Sequence, residues 1–79
     1  MKKAYVLINC ALNKEEEILR DLRNQDSVKE AHGTFGAYDI IVEVVCDTAE
    51  LLRETITWKI RKMPHIRSTL TLMGIGGQI

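Results

Sequence analysis

The chain has little of what usually anchors a small protein through chemistry. Its 79 residues include two cysteines, two histidines, one proline, one tryptophan and one phenylalanine. Cys10 and Cys46 are too few for the disulfide framework that staples small secreted domains, and they read first as buried thiols acting as small apolar side chains. Neither His32 nor His65 has a ligand partner at metal-binding spacing, so no metal or other cofactor is expected and both read as surface residues. Ser27 and Ser68 lack the setting of an activated nucleophile, and no catalytic residue is assigned. Charge of one sign is also missing: 11 Lys+Arg balance 11 Asp+Glu for a formal net charge of zero. That speaks against the chain gripping nucleic-acid phosphates by itself. No apolar run approaches the ~20 residues that span a bilayer. Met1-Lys2-Lys3 leads into a strand-like run without a small-residue cleavage site, so no secretory signal is expected and the cytoplasm is the default.

What is present is an ordinary globular composition, 46% hydrophobic and 28% charged, in one domain spanning 1–79. A chain this short buries only about 60–65% of the surface its unfolded form exposes, so its core is marginal unless something outside the chain adds to it.

Lys3–Cys10 is β-branched and aromatic-rich, the pattern of a strand. Asn13 with Glu16 three residues on fits a reciprocal helix cap. Glu15, Glu16 and Glu17 then suit the helix start, and Arg20 and Arg23 the later turns. Ile18, Leu19 and Leu22 form its apolar stripe, with an end expected near Gln25. Val28–Phe35 is a polar, poor strand suited to a sheet edge. Asp39–Cys46 is nearly all aliphatic. Asp47 with Glu50 reads as a second cap, Leu52, Ile56 and Ile60 as a second stripe, and Met63-Pro64 as a stop. Ile66 to about Gly74 is the last strand, and Gly76–Ile79 a tail. Trp58 reads as a core or interface side chain. Gly74-Ile75-Gly76-Gly77 resembles a phosphate loop only superficially, because no helix follows it.

The order β-α-β-β-α-β repeats one strand–helix–strand unit twice. It predicts an α+β, ferredoxin-like fold: a four-stranded antiparallel sheet with both helices on one face. The first and third strands are expected as parallel neighbours, with Cys10 and Cys46 side by side. Alternation assigns Val6, Ile8, Val42, Val44, Leu70 and Leu72 to the helix-covered face. The other face takes Tyr5, Leu7, Asn9, Ile41, Glu43, Val45, Thr69, Thr71 and Met73. That face is too apolar to stand in water, which predicts a homodimer joined face to face.

The segment Val28–Glu43 holds the chain's most informative feature, the turn Gly36-Ala37-Tyr38-Asp39 running into Ile40-Ile41-Val42. Glycine permits a sharp reversal, and the aspartate and tyrosine set a charge and an amphipathic ring beside turn backbone groups. One reading of Asp39 is a turn aspartate bonded to nearby backbone. The other is a binding group that, with Gly36, Ala37 and Tyr38, holds the charged ends of a small zwitterion. Thr69 and Thr71 are either strand formers or hydroxyl donors facing a pocket shared with a neighbouring subunit.

This turn, preceded by Val28-Lys-Glu-Ala31, resembles the effector-binding (RAM) domain of the Lrp/AsnC family of transcriptional regulators. So does the end segment Ile60-Arg-Lys-Met-Pro64-His-Ile66-Arg-Ser-Thr69-Leu-Thr71. The resemblance covers essentially the whole chain. It implies a dimer built through the sheets, further assembled into octamer-like rings. It also implies an amino-acid effector bound between dimers by the turn Gly36–Asp39 and the strand of Thr69 and Thr71. Full-length members carry a helix-turn-helix, and only Met1 and Lys2 precede the first strand here. The resemblance is therefore to a stand-alone module without direct nucleic-acid contact, able to co-assemble with full-length Lrp/AsnC regulators. Two other classes stay open: a small dimeric ferredoxin-like enzyme of monooxygenase or isomerase type, and a purely structural assembly module.

Overall fold

The computed structural model describes residues 1–73, so Gly74 and the Gly76–Ile79 tail lie outside the described residues. Its elements are β1 (Lys2–Cys10), α1 (Glu15–Arg23), β2 (Val28–Gly33), β3 (Ile40–Cys46), α2 (Ala49–Thr55) and β4 (Ile66–Met73), with a π-helical turn (Ile56–Ile60) extending α2. The sheet runs β2-β3-β1-β4 and every pairing is antiparallel. This is the expected ferredoxin-like arrangement, with polar β2 at one edge.

One expectation fails here. β1 and β3 are antiparallel, with Lys2 opposite Cys46, while Cys10 stands opposite Ile66 on β4. The two cysteines are therefore at opposite ends of the central strand pair, some 25 Å apart at ~3.3 Å per residue, and both are free thiols. The cause is topological: β3 follows β2 through a hairpin, which reverses the chain direction set by the first crossover.

On β1 and β3 the period-two pattern is realised as read. Ala4, Val6, Ile8, Ile40, Val42 and Val44 are sealed beneath the helices, joined by Ile18, Leu22, Leu52 and Ile60. β4 differs. Thr71 pairs opposite Val6 and Thr69 opposite Ile8, so both threonines share the helix side, and Met73 joins Ala4 there. Leu70 and Leu72 stand opposite Leu7 and Tyr5 on the uncovered face, each 44% exposed. The expectation for this strand was inverted by one residue. The helices pack chiefly on β1, β2 and β3, and it is Ile66 and Met73 of β4 that pack against the core.

The helix caps also differ from expectation. Asn13 takes a left-handed conformation (φ 67°) in the turn before α1, Lys14 occupies the N-cap position, and no side chain caps that end. At α2 the cap is Thr48, whose hydroxyl accepts from the Leu51 amide at 3.1 Å. The carboxamide of Gln25 ties the two helices by donating to the Lys59 carbonyl of the π-turn at 3.2 Å. Trp58, in that turn, is 66% exposed rather than buried, with the Lys62 ammonium 5.5 Å from its ring centre.

Candidate ligand-binding site

The β2–β3 connection is closed by two hydrogen bonds and tied to β1 by a third. The Thr34 amide donates to the Asp39 carbonyl at 2.8 Å, the Thr34 hydroxyl to the Tyr38 carbonyl at 2.6 Å, and the Asp39 amide to the Ile8 carbonyl at 2.9 Å. Gly36 sits at φ +122°, a conformation that side chains disfavour, with nothing within 4 Å of where a Cβ would be. Its requirement is conformational rather than steric.

The Asp39 carboxylate is committed in part to the fold. Its Oδ2 accepts from the Cys10 amide at 3.0 Å, joining the end of β1 to the start of β3. Asp39 and Tyr38 are half-buried, while Thr34 to Ala37 are exposed. Beside the turn opens a cleft of about 460 Å3 lined by Glu15, Gly33, Thr34, Phe35 and Asp39. Phe35 stands fully in water at 106% exposure, a lining residue that the sequence reading passed over. Its neighbour Gly36, at φ +122°, was the available signal. Glu15 is the second residue missed. It approaches the Cys10 thiol at 3.9 Å and gives the cleft a second carboxylate. Burial first, then the negative charges of Asp39 and Glu15, push the Cys10 thiol above its ordinary value of 9.0. A thiol held protonated in this way is a poor nucleophile.

Thr69 and Thr71 are half-exposed on edge strand β4. They do not face the uncovered side of the sheet, as their alternation had suggested. Ile8 relates Thr69 to the turn: its carbonyl receives the Asp39 amide on one side, and Thr69 is its register partner on the other. The two groups thus share one end of the sheet but flank β1, about two strand spacings or ~10 Å apart. Thr71 lies two residues further along. Among the described residues, Asp39 lines the cleft at the turn and Thr69 a separate one at the other edge of the sheet. Among the described residues no group of three or more His, Cys, Asp or Glu side chains is arranged to hold a metal ion.

A family model described as the Lrp/AsnC ligand binding domain matches residues 3–75. The chain belongs to the Lrp/AsnC family, through its ligand-binding domain. It is 36% identical over 55 residues, 70% of its length, to the regulatory protein AsnC of Escherichia coli strain K12. It spans 36% of the length of that curated relative. Among solved structures, FFRP-DM1 superposes with a TM-score of 0.92 at 44% identity, covering 95% of this chain and 100% of that one. A complex of the regulator NMB0573 from Neisseria meningitidis with L-Met gives a TM-score of 0.83, covering 99% of this chain and 52% of that one. At 9% identity this last likeness concerns the fold alone. No helix among the described residues is long and apolar enough to cross a membrane.

Proposed function

We propose that this chain is a non-enzymatic amino-acid-binding and assembly module of the cytoplasm. It would modulate transcription by co-assembling with full-length Lrp/AsnC-type regulators. The observation that carries this reading is the half-site at the β2–β3 turn. A pre-closed loop holds the Asp39 carboxylate beside an open cleft, and an aromatic ring projects from the same turn with nothing packed against it. Such a site is concave and partly polar but incomplete, as expected where a second subunit supplies the remaining wall.

The Asp39 and Glu15 carboxylates suit the ammonium end of an amino acid, and the turn amides its carboxylate. The description of the matching family as a ligand-binding domain supports this reading, as does the L-Met bound to a regulator of the same fold. Binding rather than catalysis is favoured because the matching family is described as a ligand-binding domain and its curated relative as a regulatory protein.

The uncovered sheet face supports assembly. Tyr5, Leu7, Ile41, Val45, Leu70 and Leu72 form an apolar strip across its middle, with Lys3, Glu30, His32 and Glu43 at one corner and Asn9 and Ser68 at another. A patch of this kind is characteristic of a subunit contact rather than of a monomer surface. Two such faces closing on each other give a twofold homodimer, and contacts between dimers at the turn would give the higher, octamer-like assembly.

Calorimetric titration with each of the twenty amino acids, paired with sedimentation of the free and supplemented protein, tests both parts. Heat from at least one amino acid together with a shift in assembly is expected. A stable dimer that binds none of them would leave an assembly module without a sensor, and a monomer at 100 µM would remove the assembly reading.

A further inference from the structure

The uncovered face carries an apolar strip between two polar corners: Asn9 donates to Ser68 at one, and at the other charges form a row across three strands. Lys3 on β1 approaches Glu43 on β3 at 3.6 Å. Glu43 stands directly opposite Glu30 on β2, and Glu30 lies 3.8 Å from His32. The members of this row differ in their surroundings. Glu30 and His32 are about 60% exposed, as solvated edge residues should be. Glu43 keeps only 9% of its side-chain exposure although it lies on the face no helix covers. Tyr5 flanks it on β1 and Glu30 on β2. Lys3 keeps 36% of its side-chain exposure. Its ammonium folds down along the sheet, 5.9 Å from the Tyr5 ring centre, to meet Glu43.

Like charges directly opposite each other on neighbouring strands are unfavourable, so the Glu30–Glu43 pairing leaves Lys3 as the cation that offsets Glu43. Any body laid over Tyr5, Leu7 and Ile41 would remove the last water from Glu43 and much of it from Lys3. Removing one partner of a desolvated ion pair strands a buried charge, whereas replacing both by apolar groups is often neutral or favourable.

We propose that Lys3 and Glu43 form the polar determinant of the face-to-face contact between two copies of this chain, so that pairing tolerates both charges or neither but not one alone. The second copy is the occupant the surface fits. The row carries both signs, so a twofold-related face can meet it without net repulsion, and the apolar strip of Tyr5, Leu7, Ile41, Leu70 and Leu72 can match itself. This rests on the dimer reading above and adds what that reading lacks, the residues that police which partners are accepted. A related chain with only one of the two charges at these positions would be rejected, which is how buried charges confer specificity through mismatch.

The test is a double-mutant cycle on the full chain, read as the dimer dissociation constant by sedimentation equilibrium, with circular dichroism confirming the fold of each variant. Lys3→Met and Glu43→Met are each expected to weaken dimerisation by roughly thirtyfold or more. The Lys3→Met/Glu43→Met double variant should return to within about tenfold of the parent, or below it. Where a single variant loses its fold, Lys3→Glu/Glu43→Lys, which swaps the charges in place, takes over and is expected to dimerise like the parent. Independent effects, with the double variant as weak as the product of the singles, would overturn the proposal while leaving the dimer standing. A parent chain that is monomeric at 100 µM would overturn the dimer reading first and this proposal with it.

Discussion

The backbone amide of Cys10 donates to the Asp39 carboxylate at 3.0 Å across 29 residues of sequence. The acid at the candidate site is therefore also a structural clasp between the end of β1 and the hairpin turn. Its two roles can be separated because the backbone bond needs only one acceptor oxygen, whereas attraction for an ammonium needs the charge.

Asp39→Asn keeps an acceptor for Cys10 and removes the charge. Its melting temperature is expected to fall by only a few degrees while amino-acid binding falls at least tenfold. Asp39→Ala leaves a part-buried amide unpaired, at a cost of about 1–3 kcal/mol. For a domain of this size that is a drop of the order of 5–20 °C. Calorimetry and thermal melts on the two variants separate the roles, and equal binding by Asp39→Asn would remove the charge from the site.

Gly36 holds the turn at φ +122° in open space. Gly36→Ala meets no clash yet forces an alanine into a disfavoured region. Destabilisation of about 1 kcal/mol or more is expected, measured by urea unfolding with an unchanged slope. A stabilised variant would mean that the turn has another conformation.

Thr48, not Asp47, caps α2. Thr48→Ala should lower stability by about 1 kcal/mol. Asp47→Ala is expected to stay within ~0.5 kcal/mol of the parent in the same unfolding series. The reverse order would restore the cap read from the sequence.

The Cys10 thiol is raised by burial, then by Asp39 and Glu15. Slow labelling by a thiol reagent at pH 8 is the expected result, with Glu15→Gln labelling faster because one raising charge is gone. The folded chain holds this proton more tightly than the unfolded chain. The resulting stability is fully present below the ordinary value of 9.0 and is lost as pH rises through the folded value. Denaturation midpoints that rise between pH 8 and 10 would contradict this sign.

The element order was legible because each segment carries its own period. The β-branched, aromatic-rich run Lys3–Cys10 reads as a strand, and the stripe of Ile18 and Leu22 as a helix. The turn at Gly36–Asp39 was legible because glycine and aspartate have few other uses at such a junction. Glu15 was not legible as a neighbour of Asp39, since 24 residues of sequence separate them and only the fold brings both to one cleft. Asn13 went unread as a left-handed turn residue because the same side chain serves equally well as a cap.

The chain alone determined which stretches become strands and helices, and which side of β1 and β3 goes inward, because both depend on neighbours two to four residues away. Tertiary structure decided that Glu15, Phe35 and Asp39 line one cleft. It also decided the facing of Thr69 and Thr71. An edge strand takes its register from the backbone hydrogen bonds of the strand beside it, and a one-residue difference in that register turns every side chain to the opposite face.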